Sequence, residues 1–353
     1  MKRWLAAAFA ATLAACTSPA SGQGQPAPLA SPTEAGWKAE LADVVTWVAS
    51  QKSTGFIIIE NNRVVTKSIW PVPEADRVFR NNLVHGVTPD GQTLEDVASQ
   101  QKSFIALLVG IAIDKRLLDT SKTVTSYVGP GWSSARFSRE EVITVRNLLE
   151  MNSGLQENLT YGSAPDTVFY YNTPAYAVLK RVLEAASKRS LDAITRDWLA
   201  GPAGMTYTSW RKRPAAFSDV GNPTGLVTTP TDVARMGQLV LDGGVAANGK
   251  RVISKAQLDA LFVRTKTNPA YGHLWWLNGS SETVNVGPNS PRREGQFIKT
   301  APADLVAAMG AQDRKLYIVP SRKLVIVRTG QTTPDRQFDE HLWEKLSAVM
   351  PAR

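Results

Sequence analysis

The sequence predicts a mixed α/β (α+β) fold: one antiparallel sheet built from N- and C-terminal segments, flanking helices, and a largely helical subdomain inserted between them. Three observations carry this expectation. Runs of β-branched residues cluster towards the two ends of the chain. Apolar residues at helical spacing flank those runs. A long, wholly apolar segment lies in the middle region, as a buried helix requires.

The strand signals come first. Residues 54–59 and 63–69 are separated by Asn61-Asn62, a two-residue hairpin signal. Residues 315–319 and 324–328 form a second pair across Pro320-Ser321-Arg322-Lys323. A lone hairpin is marginal in water, so both pairs are expected in one sheet, which brings the ends of the chain together. Trp37, Leu41, Val44, Val45 and Val48 recur at helical spacing, as do Phe338, Leu342, Leu346 and Val349. Thr229-Pro230-Thr231-Asp232 reads as a helix start, with Thr as N-cap, Pro at the first position and an acid two residues later. Gly243-Gly244 ends that helix. Tyr176, Leu179, Val182 and Leu183 mark another. The insertion is expected over residues 90–265, within a folded domain of residues 37–353.

The first residues read as a targeting segment. Lys2 and Arg3 precede an apolar core, and Leu13-Ala14-Ala15-Cys16 resembles a bacterial lipobox. Residues 1–16 are therefore expected to be a lipoprotein signal peptide, cleaved before an acylated Cys16. Residues 17–36, rich in Ser, Pro, Ala, Gly and Gln, are expected to be a flexible tether. Thr17, rather than Asp, follows the cysteine. The resemblance then implies an exported envelope lipoprotein on the periplasmic face of the outer membrane, with the membrane as a partner through its lipid.

Composition excludes several functions. Cys16 is the only cysteine, so neither an intrachain disulfide nor a multi-thiolate zinc site is available. His85, His273 and His341 show no metal-ligand spacing, so neither a metal nor a cofactor is expected. The net charge of +9 is spread without a basic stripe interleaved with aromatics, which leaves nucleic-acid binding without support. No Gly-x-Ser-x-Gly nucleophile elbow occurs.

The chemistry-bearing signal is Ser99-Gln100-Gln101-Lys102, opening the apolar stretch of residues 103–113. On a helix, residues three apart share a face. Ser99 and Lys102 would then meet, and a desolvated lysine can take a proton from a serine hydroxyl. At 11 residues the stretch is too short to span a bilayer, which needs about 20. A second copy of the spacing, Ser209-Trp210-Arg211-Lys212, precedes Arg213-Pro214 and is read as a solvated loop.

Tyr170-Tyr171-Asn172 lies just before the helix through Tyr176. With Ser-x-x-Lys upstream, this pattern resembles the serine β-lactamase and penicillin-binding-protein superfamily, in its class C-like branch with a Tyr-x-Asn second motif. Three further segments extend the likeness: Asn152-Ser153-Gly154-Leu155, residues 225–235, and Tyr271-Gly272-His273-Leu274-Trp275-Trp276. It covers residues 55–330 or so. The nearest relatives in kind are esterases and 6-aminohexanoate-dimer hydrolase-like amidases. The resemblance implies a β-lactamase/transpeptidase-like fold and a serine hydrolase acting on a small ester, amide or peptide substrate. It implies Ser99 as acylated nucleophile, Lys102 as proton shuttle, Tyr170 as general base and acid, and Asn172 as a substrate or Lys102 contact. Tyr171 is the alternative register for the tyrosine.

The third motif departs from the family's Lys-Thr-Gly. Lys299-Thr300-Ala301 lies too far before Tyr317, and the register points to Ala308-Met309-Gly310. Gly310 would let substrate approach the strand, and the Ala311 N–H would pair with that of Ser99 as an oxyanion hole. Ala308 cannot supply a cation for a substrate carboxylate. The expectation is a neutral ester or amide substrate. A penicillin-binding protein or weak β-lactamase, and a non-catalytic envelope binding protein, are the alternatives.

Overall fold

The computed structural model describes residues 33–215, 221–287 and 290–352. Cys16, the leader and most of the tether lie outside the described residues.

The hairpin of β1 (Ser53–Glu60) and β2 (Arg63–Ile69) turns through Asn61 and Asn62, at φ of 51° and 61°. Positive φ at both central residues is the turn that matches strand twist, and asparagine tolerates it. At the other end, β11 (Arg314–Val319) and β12 (Leu324–Gly330) are joined by a 3₁₀ turn over Pro320–Arg322. β1 pairs antiparallel with β12, so the two hairpins merge as the patterning requires. With β10 (Val306–Gly310) and β7 (Trp276–Leu277) the sheet order is β2-β1-β12-β11-β10-β7.

β1, β11 and β12 are buried along their whole length. An antiparallel sheet with no solvated face needs cover on both sides. Helices Leu41–Ser50 and Phe338–Val349 pack together, and the first also packs on β1. Helix Pro230–Leu241 packs on β1, β11 and β12. It starts as predicted, with Thr229 Oγ1 accepting the Asp232 N–H at 3.2 Å. Its Gly237 lies against the sheet, where a Cβ would stand 2.6 Å from Val325 and 2.7 Å from Leu316.

The insertion is not purely helical. It carries most of a second sheet, ordered β3-β4-β6-β5, from β3 (Val84–Val87), β4 (Thr93–Asp96), β5 (Ser209–Lys212) and β6 (Thr224–Thr228). A small hairpin, β8 (Glu282–Val284) with β9 (Arg292–Glu294), stands apart. Ser209–Lys212, expected as a loop, is thus a strand. Residues three apart on a strand point to opposite faces, so this second Ser-x-x-Lys copy cannot bring its serine and lysine together.

Helix Gln101–Asp114 packs on helices Thr173–Ser187 and Lys255–Leu261, with every residue from Gln101 to Ala112 buried. That accounts for its lack of a polar face. No helix among the described residues is long and apolar enough to cross a membrane.

Gly237→Val should destabilise the fold by about 2–3 kcal/mol, because the added methyls overpack a helix–sheet contact. Urea unfolding checks it. An unchanged midpoint would mean that the helix can lift off the sheet at no cost.

Candidate active site

β4 delivers the serine. It ends at Asp96, and Ala98 follows in the left-handed region at φ 51°. A non-glycine residue pays strain there unless held. Asp96 Oδ1 holds it, accepting the Ala98 N–H at 2.8 Å. Ser99 sits in the 3₁₀ turn Ala98–Gln100 that runs into the buried helix, and is partly exposed.

Lys102 is 1% exposed. Its Nζ lies 3.1 Å from Ser99 Oγ and 3.2 Å from Thr173 Oγ1. The same ammonium position stands 4.8 Å from the Tyr171 ring centre and 4.6 Å from that of Tyr176. No carboxylate is paired with it among the described residues. Burial, with the cation of Arg213 acting in the same direction, brings its pKa down to about 7.

The tyrosine beside this pair is Tyr171, not Tyr170. The Ser99 side chain lies beside the Tyr171 phenol. Burial pushes that phenol up to about 12, with Ser99 opposing the rise. Tyr170 is subject instead to burial and to Glu157, both raising its pKa. The reason is geometric. Tyr171 leads directly into Asn172, which is extended at φ −103° and ψ 105° and opens the next helix. Only one of the two rings can face Ser99.

The one-residue shift also displaces Asn172. Its Oδ1 accepts the Ala175 N–H at 2.9 Å as the N-cap of helix Thr173–Ser187. Its Nδ2 donates to the carbonyls of Leu155 and Gln156, each at 2.9 Å. At 2% exposure, with both ends of its amide engaged, it has nothing free to offer a substrate. Thr173 takes the contact with Lys102 that was expected of Asn172. The motif is Tyr171-Asn172-Thr173, with a hydroxyl at its third position. The N-cap signal was present in the sequence, since Asn172 stands directly before Thr173-Pro174 at a helix start.

β10 flanks the serine turn. β7 pairs only with Val306 and Ala307, leaving Ala308 to Gly310 without a strand on that side. The Gln100 side chain donates to the Ala308 carbonyl at 3.1 Å, tying the turn to the strand. Gly310 is required to be glycine: a Cβ there would stand 2.4 Å from the Val97 carbonyl. Ala311 follows in the turn to β11 and is exposed. That turn is fixed by two buried arginines: Arg314 Nη1 donates to the Ala311 carbonyl at 2.9 Å, and Arg328 Nη1 to those of Gln312 and Asp313. Ala308 is buried and brings no charge. Lys299 and Thr300 lie elsewhere, their N–H groups bonded to Glu340.

An aromatic column supports Tyr171. Its ring stacks on Trp276 at 6.1 Å, and Trp276 stacks on Phe297 at 4.6 Å. Tyr271 meets Trp276 edge-on at 4.9 Å. His273 lies 3.5 Å from Glu150, and no group of His, Cys, Asp and Glu among the described residues could hold a metal. The sequence reading missed Thr173 and Asp96, whose contacts depend on chain segments brought together only by folding.

Asn172→Ala should cost about 2 kcal/mol of stability, through loss of the cap and of two buried amide bonds. Denaturant unfolding checks it. A variant with full stability but poor substrate affinity would return Asn172 to the binding site.

Comparison with known proteins agrees with this geometry. Residues 48–349 match the family model described as Beta-lactamase. Penicillin-binding protein 4 of Amycolatopsis lactamdurans is 26% identical over 217 residues, covering 48% of this chain and 57% of that protein. A candidate β-lactamase of Bacteroides dorei superposes with a TM-score of 0.67 at 15% identity, covering 89% of this chain and 99% of that one. A candidate 6-aminohexanoate-dimer hydrolase of Bacillus anthracis gives 0.62 at 16% identity, over 86% and 80%. With the sheet closed by its own termini and a Ser-x-x-Lys helix at the edge of β10, the chain belongs to the β-lactamase family of serine hydrolases.

Proposed function

We propose that the protein hydrolyses a neutral ester or amide through an acyl-enzyme on Ser99. The observation that carries this reading is Lys102: buried, unpaired with any acid, and 3.1 Å from the serine oxygen. A lysine with a pKa of about 7 is substantially a free amine at neutral pH. It is therefore a proton acceptor within reach of the nucleophile.

In the proposed cycle, Ser99 Oγ attacks the substrate carbonyl carbon and its proton passes to Lys102 Nζ. The carbonyl electrons move onto oxygen, met by the N–H groups of Ser99 and Ala311. Collapse of that intermediate expels an alcohol or amine, which takes a proton through Tyr171. Water then attacks the acyl-serine, losing its proton by the same route, and Ser99 is regenerated. With its phenol near 12, Tyr171 serves as a protonated relay rather than as a standing phenolate. Thr173 holds the Lys102 amine towards the serine.

The uncharged Ala308 supports a substrate without a carboxylate at that position. A second reading, a penicillin-binding protein acting on cell-wall peptides, draws on the likeness to Penicillin-binding protein 4. Slow release of a penicillin from Ser99 would favour it. The lipobox at Cys16 supports attachment to the envelope as a lipoprotein, and incorporation of labelled palmitate that is lost in Cys16→Ala would establish it.

Ser99→Ala should abolish both hydrolysis of a short-chain p-nitrophenyl ester and labelling by a fluorophosphonate, with the fold intact. Retained turnover would remove the proposal. Tyr171→Phe should lower kcat/KM by about a hundredfold or more, while Tyr170→Phe keeps most of it. The reverse ranking would restore the other register. The pH dependence has a definite sign: protonated Lys102 cannot accept, so kcat/KM should rise with pH through about 7. The Tyr171 phenol should impose no alkaline loss until pH approaches 12. A rate that falls on passing from pH 6 to 8 would contradict the assignment of the base.

A further inference from the structure

We infer that Arg213 is a positioning residue for the Ser99–Lys102 pair, fixing the serine turn through Asp96 and placing a buried cation near the lysine. The inference rests on the acyl-enzyme reading above.

Arg213 directly follows β5, and its guanidinium grips Asp96 with two bonds, Nε to Oδ2 at 2.7 Å and Nη2 to Oδ1 at 2.9 Å. The two side chains are 8% and 2% exposed. A paired, planar, buried grip of this kind fixes geometry as well as charge. The backbone of Arg213 is itself held, its N–H donating to the Pro223 carbonyl at 2.9 Å. The same Asp96 Oδ1 accepts the Ala98 N–H, so the arginine, the carboxylate and the left-handed residue before Ser99 form one chain of contacts. The fold makes room for it. A Cβ on Gly225, in β6, would stand 1.9 Å from Asp96 Oδ2.

The charges near Lys102 are distributed unequally. From its own helix it meets Ser99, and from helix Thr173–Ser187 it meets Thr173 and the Tyr176 ring, with the Tyr171 ring just before. Lys180 on that second helix is a further buried cation. Its Nζ is bonded to Asn222 Oδ1 and to the carbonyl and hydroxyl of Thr224. Asp96 and Glu184 are the acids acting on Lys180, and Arg213 occupies Asp96. Burial works to raise the Asp96 pKa, yet the Arg213 bonds hold it below the usual carboxylate value. Arg213 acts on both lysines in the direction of the free amine. A lysine meant for proton transfer requires that arrangement. A carboxylate paired with it would hold it protonated.

The test is a pH profile of the whole enzyme. The rate of Ser99 phosphonylation by a fluorophosphonate and kcat/KM for p-nitrophenyl acetate are measured from roughly pH 5 to 10. The proteins compared are wild type, Arg213→Lys, Arg213→Gln, the double variant Asp96→Asn/Arg213→Gln, and Ser99→Ala. Both uncharged variants should move the acid limb up by about one pH unit, a roughly tenfold loss on its acid side. Arg213→Lys should keep the limb near its wild-type place, with a lower plateau because one amine cannot make the two-point grip. The double variant leaves no lone buried charge and decides the matter if Arg213→Gln alone does not fold. A limb that stays put in a folded uncharged variant, with only the plateau lowered, would overturn the inference and leave Arg213 a structural brace. Unfolding of both would overturn it likewise. Unchanged hydrolysis in Ser99→Ala would overturn the reading beneath it instead, so the two failures are distinct.

Discussion

Burial of one lysine without a partner acid is the constraint around which the site is arranged. Placing an ammonium in a protein interior costs several kcal/mol unless it is paired or sheds its proton. Lys102 is surrounded by two hydroxyls and two aromatic faces, groups that orient an amine without compelling it to stay charged. The nearby carboxylate, Asp96, is spent on Arg213 and on the backbone of the serine turn. The burial that lowers stability is, in the proposed function, the source of reactivity.

That burial is a property of the whole fold. Ser99 and Lys102 open a helix in which Phe104 to Ile113 are apolar on all sides, which only an enclosed position can accept. Enclosure comes from helices Thr173–Ser187 and Lys255–Leu261 and from the edge of β10. β10 is in place because it pairs with β11, β11 with β12, and β12 with β1 from the other end of the chain. Arg328, 0% exposed on β12, ties Ser53, Gln51, Gln331 and the turn after β10 together through its five donors. Closure of the chain ends and placement of Gly310 are thus one packing problem.

Elements with a local cause were legible in the sequence. Asn61-Asn62 specifies its own turn, Thr229-Pro230 its own helix start, and the apolar run after Lys102 its own burial. The tyrosine was misplaced because matching Tyr-x-Asn by residue type ignores what the asparagine does. A capped helix start consumes the Asn172 side chain, and the facing ring must then be the one at the preceding residue. The second Ser-x-x-Lys copy misled in the other direction, since spacing alone does not separate loop from strand. The Arg213–Asp96 pair, 117 residues apart, had no local signal at all.

Why the tyrosine can be trusted with a proton follows from its supports. Tyr171 has Lys102 over its ring and Trp276 stacked alongside, with Phe297 beyond and Tyr271 at the edge. Trp276 is itself registered on β10 opposite Ala307. Rotation of the phenol would have to disturb a column anchored in the main sheet. Ser99 is fixed to the same strand through Gln100 and the Ala308 carbonyl. The proposed nucleophile and relay lead into different helices, yet each is referenced to β10. Their separation is then set by one rigid strand rather than by the relative position of two helices, and a proton relay that works only over hydrogen-bond distances requires that rigidity.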